Sequence, residues 1–130
     1  MVCLDATFLI DFLRGREEAV QLVKGWRESN TRVAIAAPAL AEAASGAALE
    51  RTGREQQRLD KVSSELLVLP LTRESAMRAG SIDAELTEAG EMIGLVDAMI
   101  AAVALENEEL LVTKNLGHFE RIPNLQVQWY

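Results

Sequence analysis

Short apolar runs along the chain are separated by longer stretches in which polar and apolar residues mix, the pattern of strands alternating with helices. Met1 to Leu4 predicts a short buried strand, and Thr7 is placed to cap a helix that runs through Leu13 and stops at Gly15. A second helix is expected over Glu17 to Glu28, a strand over Val33 to Ala36, and a helix with Pro38 in its first turn that extends to about Arg51. Beyond Gly53 come a polar helix near Arg54 to Glu65, a strand from Leu66 to Leu71, and a helix from Arg73 to Glu88 that Gly90 terminates. Asp97 to Asn107 reads as a fully buried helix, Leu110 to Thr113 as a strand, Gly117 to Glu120 as a short helical turn, and Leu125 to Trp129 as the last strand. This alternation predicts an α/β fold, a mostly parallel sheet covered by helices on both faces, with right-handed crossovers. Ligands of such sheets bind beyond the carboxyl ends of the strands.

Composition narrows the picture. The 130 residues are 49% hydrophobic but only 5% aromatic, so a single domain over residues 1–130 is expected, with a core of Ala, Leu, Val and Ile. Apolar runs such as Val33 to Leu40 and Ala98 to Leu105 are too short to cross a bilayer, and the N-terminal Met-Val-Cys-Leu-Asp, with no basic region before its apolar stretch and an acid at the fifth position, does not read as a secretory signal. A cytoplasmic protein is therefore expected. The lone Cys3 sits in an apolar run and reads as a buried thiol rather than a nucleophile. A net charge of −7 argues against nonspecific coating of nucleic acid and requires any nucleic-acid contact to be local.

Three acids stand in apolar surroundings. Asp5 follows Val2-Cys3-Leu4; if Thr7 caps the helix, Asp5 is left for other work, although a turn aspartate bonded to local amides is the ordinary alternative. Glu42 is the only charge between Ala39 and Leu49, in a helix apolar on all sides and therefore expected to be buried, with small neighbours leaving its carboxylate in a shallow recess. Asp97 opens the apolar run Ala98 to Leu105, where a helix cap is the competing role. All three fall at ends of elements that can meet at one sheet edge. Carboxylates gathered in a partly desolvated site must take up protons or share a cation. With oxygen ligands only, and no second Cys or His, the cation expected is Mg²⁺ or Mn²⁺ rather than zinc. Thr113, Lys114 and Asn115 end another strand at the same edge, offering a hydroxyl, an ammonium and an amide to a phosphate or a metal-bound water. The single His118 reads as surface or structural rather than as a general base.

Four segments carry a resemblance: Leu4 to Leu13, Ala41-Glu42-Ala43-Ala44-Ser45-Gly46, Gly94 to Ala102, and Thr113-Lys114-Asn115-Leu116-Gly117-His118-Phe119. In this combination and order the chain resembles the PIN-domain ribonucleases, particularly the VapC-like toxins of prokaryotic toxin–antitoxin pairs. The resemblance implies a five-stranded parallel sheet, a carboxylate site for Mg²⁺ or Mn²⁺, hydrolysis of RNA phosphodiester bonds, a homodimer, and inhibition by a cognate antitoxin whose tail enters the site. Asp5, Glu42 and Asp97 match the family's acidic positions, and Thr7 and Thr113 its hydroxyl positions. It makes Asp5, Asp97 and Glu42 metal ligands, with Glu42 also able to orient water, Thr113 and Asn115 catalytic positioning groups, and Thr7 and Lys114 substrate-positioning groups. Many members carry a fourth acid where this chain has Asn115, so one metal is expected rather than two. Among rivals, a phospho-acceptor receiver domain needs an aspartate ending the third strand, where Leu69-Pro70-Leu71-Thr72 has none. A haloacid-dehalogenase-like phosphatase needs a second aspartate where Thr7 stands. A PIN-fold module acting only through protein binding is the remaining alternative.

Overall fold

The structure, a computed structural model, describes residues 1–130. Its elements in chain order are β1 (Val2–Leu4), α1 (Ala6–Leu13), α2 (Glu17–Glu28), β2 (Val33–Ala36), α3 (Ala37–Leu49), α4 (Arg54–Ser63), β3 (Leu67–Leu69), α5 (Arg73–Glu88), α6 (Leu95–Glu106), β4 (Leu110–Thr113), α7 (Leu116–Phe119) and β5 (Val127–Trp129). The five strands form one parallel sheet in the order β3-β2-β1-β4-β5. The chain therefore winds outward from β1 in one direction as far as β3, then returns to the far side of β1 as β4. With right-handed crossovers this reversal puts α1 to α4 and the pair α5 and α6 on opposite faces. The crevice of the switch point lies where β1 meets β4.

Strand sequences follow from their places in the sheet. The central β1, β2 and β4 read VCL, VAIA and LLVT, near-continuous apolar runs, because strands covered on both faces have no solvent side to mark with polar residues. Edge strands are shorter than their apolar runs suggest. β3 stops at Leu69 because Pro70 has no N–H for the ladder, and Leu67 and Val68 are exposed. β5 starts at Val127 because Asn124 adopts a positive φ of 68° and the Leu125 N–H turns back to Ile122 O at 3.4 Å.

One contiguous core holds 28 buried residues, with Phe8, Leu9, Ile35, Leu111 and Phe119 among its most enclosed side chains. α6 is buried as expected, with Ala98 and every residue from Ile100 to Ala104 inside. α3 is not. Only Ala39, Ala43 and Ala47, one stripe at four-residue spacing, are buried, and Leu49 at its end is 80% exposed. The expectation of an all-round buried helix fails here because residues as small as Ala, Ser and Gly cost little to leave in water. The Thr7 cap also fails. Asp5 has the extended backbone of a capping residue and accepts the Phe8 N–H at 2.9 Å, so α1 begins at Ala6 and Thr7 is an exposed residue within its first turn. No helix is long and apolar enough to cross a membrane.

Candidate active site

Asp5 is the centre of the site. As the first residue after β1 it is 3% exposed, and both of its oxygens are engaged: Oδ1 receives the Phe8 N–H, and Oδ2 receives the Thr113 hydroxyl in a short hydrogen bond. Thr113, the last residue of β4, is fully buried and lies 108 positions away in sequence. The pair exists because β1 and β4 are neighbours in register, Leu4 opposite Val112. The capping role and the site role, set against each other in the sequence, are thus carried by one side chain. Each carboxylate oxygen has two acceptor directions, which leaves room for a further partner.

Burial pushes the Asp5 carboxyl up from its ordinary 3.8 to about 6, and the negative charges of Asp97 and Glu42 add to the rise against the lowering effect of Thr113 and Phe8. Glu42 is also raised, first by desolvation and then by Asp97. Asp5, Glu42, Asp97, Thr7 and Asn115 line one pocket of about 230 Å³, floored by Ile10 and Ile100. The charge of Asp97 raises the proton affinity of both Asp5 and Glu42, which marks a place short of positive charge. A larger apolar cleft of about 440 Å³ beside Leu9, Phe12 and Val23 contains none of these acids, so the site is identified by chemistry and not by size.

Glu42 reaches this pocket from α3 as an exposed side chain, not from the recess expected for it. Asp97 comes from the first turn of α6. That helix is opened by Gly94 at φ 95°, a backbone that L side chains rarely adopt, and Asp97 makes no capping bond. Its Oδ2 instead lies 2.6 Å from Nδ1 of His118, and Asn115 Nδ2 lies 2.8 Å from the same ring nitrogen. His118 is a neighbour of the site that sequence reasoning passed over. The available signal was its spacing: Asn115 precedes α7 and His118 is three residues on, where the two side chains face each other.

Lys114 is turned away from the pocket. Its Nζ is 3.0 Å from Asp11 Oδ2 and lies 5.0 Å from the centroid of the Tyr130 ring, while the Tyr130 hydroxyl donates to the same Asp11 oxygen at 2.9 Å. Burial pushes Asp11 up, but the Lys114 and Tyr130 hydrogen bonds outweigh it and hold the carboxyl below its usual value. These contacts tie the end of β4 to α1. Cys3 is fully buried, and burial pushes its thiol up to about 12, which leaves it no nucleophilic part.

The oxygen donors at the pocket, three carboxylates with an amide and a hydroxyl beside them, fit a hard divalent cation. No three of the chain's acid, His or Cys side chains close into a cage for a bare ion.

Comparison with known proteins places this geometry. The PIN domain family model matches residues 2–125. Ribonuclease VapC2 of Rickettsia felis is 33% identical over 97 residues, 74% of this chain and 72% of the relative. Ribonuclease VapC2 of Haemophilus influenzae is 28% identical over 126 residues, covering 96% of this chain and 94% of the relative. Among solved structures, VapBC2 of Rickettsia felis bound to a promoter DNA fragment superposes with a TM-score of 0.88 at 26% identity, covering 100% of this chain and 99% of that one. DNA-bound VapBC of Salmonella typhimurium gives 0.87 at 29% identity, covering 99% and 98%. A five-stranded parallel sheet with acids gathered at its β1/β4 crevice, and a family match from the first strand to the approach to the last, make this chain a member of the PIN domain family.

Proposed function

We propose that this PIN-domain protein is a Mg²⁺- or Mn²⁺-dependent endoribonuclease, the toxin of a toxin–antitoxin pair, acting in the cytoplasm. The observation that carries the reading is the convergence of Asp5, Glu42 and Asp97 from three different elements on one pocket, where Asp5 is pushed up to about 6. The ribonuclease names of the relatives support the same conclusion.

Asp5 and Asp97 would hold the cation, and Thr113 keeps Asp5 in place by occupying one direction of Oδ2. When bound, the divalent ion supplies Lewis acidity toward the scissile phosphate and offsets charge in the transition state. Glu42, the exposed member of the three, orients the attacking water and takes its proton. The water oxygen bonds to phosphorus, one P–O ester bond breaks, and a proton passes to the departing oxygen. Thr7 and Asn115, both at the pocket wall, offer a hydroxyl and an amide to the phosphate. Lys114 acts through its ion pair with Asp11, which braces the Thr113 to Asn115 segment.

The partner we propose is a cognate antitoxin, as in the VapBC assemblies, carrying an arginine that fills the anionic pocket. A homodimer forms through the exposed small-residue face of α3. Purified protein incubated with RNA tests the activity: cleavage with Mg²⁺, none with EDTA, and at least about a hundredfold loss in Asp97→Asn at unchanged circular dichroism. Asp97→Asn cutting as fast as the wild type removes the pocket from the mechanism.

A further inference from the structure

We infer that His118 is a positioning residue for Asp97, holding one carboxylate oxygen so that the other is presented to the pocket's cation. The inference rests on the metal-site reading above and adds to it a residue outside the acid set. His118 does not line the pocket, whereas Asp97 and Asn115 both do. It stands behind Asp97, with Nδ1 2.6 Å from Oδ2, within hydrogen-bond distance. An ionised carboxylate offers acceptors only, so the ring nitrogen facing it carries the hydrogen. The Asn115 side-chain amide packs against the same ring nitrogen at 2.8 Å, beside that hydrogen bond. The ring's position is fixed from below. Phe119, the next residue of α7, is 1% exposed in the core, and the Asn115 N–H donates to Thr113 Oγ1 at 2.9 Å, so the ring is tied to the hydroxyl that holds Asp5.

The physical effect is on orientation. The Asp97 side chain is one-fifth exposed and sits on a helix opened by glycine, and without a partner its carboxylate is free to rotate between pocket and solvent. Partners of this kind behind ligating groups contribute about 10–100-fold in metal affinity.

The chain has one histidine, so its imidazole nitrogens give a single pair of ¹⁵N signals. In chelator-treated protein these should report hydrogen on Nδ1. Mn²⁺ binding followed by electron paramagnetic resonance then separates the possibilities. His118→Ala and His118→Gln should weaken Mn²⁺ at least about tenfold, while His118→Asn, whose amide nitrogen takes the place of Nδ1, should stay within about twofold of wild type. Hydrogen found only on Nε2, unchanged affinity in His118→Ala, or His118→Asn as weak as His118→Ala would each overturn the assignment. Tighter Mn²⁺ in His118→Ala would do the same, by making the imidazole a competing positive charge. Asp97→Asn is the control that isolates the site itself: undiminished Mn²⁺ binding there defeats the metal site and this inference together, whereas loss there with no effect of His118→Ala defeats the inference alone.

Discussion

Asp5 shows how much of a residue's role is local. Its identity, its place after an apolar run and its distance from Phe8 were all legible in the chain, and Thr7 still looked like the better cap because nothing local distinguishes the two positions. The bond from Thr113 does. The charge state of Asp5 gives a testable consequence. Folding raises its carboxyl from 3.8 to about 6, so the folded, metal-free chain holds this proton more tightly than the unfolded one. Its contribution to stability is full at pH values below 3.8 and is lost as pH rises through about 6. Asp5→Asn keeps an acceptor for Phe8 and removes the charge. In EDTA its Tm should exceed that of wild type at pH 7.5, by up to about 3 kcal/mol in unfolding free energy, and the difference should vanish near pH 4. A wild type more stable than Asp5→Asn at pH 7.5 would mean that the protein alone already neutralises this charge.

At the scale of elements, α3 and α6 look alike in sequence and differ in the fold. Both are rich in Ala, with one acid in an early turn, yet α6 is enclosed over most of its length and α3 on one stripe only. Periodicity could not separate them, since a helix apolar on every side has no polar face to reveal which way it points. Packing made the choice: α6 lies against α5 and touches β2, β4 and α3, while Ala41, Glu42, Ala44, Ser45, Ala48 and Leu49 of α3 stay exposed. The contrast can be measured by urea unfolding. Ala43→Leu, on the buried stripe, should destabilise by about 1–3 kcal/mol through overpacking. Ala48→Glu, on the exposed side of the same helix, should change stability by no more than about 0.5 kcal/mol. Equal effects would contradict the one-sided burial of α3.

On the scale of the whole molecule, the open side of α3 continues into an apolar groove with Leu71, Val96 and Met99, next to Glu42. Val96 and its neighbour Leu95 are 40% and 48% exposed. The proposed homodimer uses this face, and Val96→Arg should convert it to a folded monomer in sedimentation velocity. A wild type that sediments as a single chain at micromolar concentration refutes the dimer. By itself the sequence determined the alternation of strands and helices, the apolar runs of the central strands, the enclosed thiol of Cys3 and the three acids as candidates. These follow from side-chain periodicity and local chemistry, which a few neighbouring residues specify. Tertiary structure alone decided that β4 lies beside β1, and with it the bond between Thr113 and Asp5 across 108 residues and the approach of His118 to Asp97 across 21. It also sent Lys114 to Asp11 instead of the pocket. Strand order is settled by which packing buries the most apolar surface over the whole chain, a sum that no local window contains.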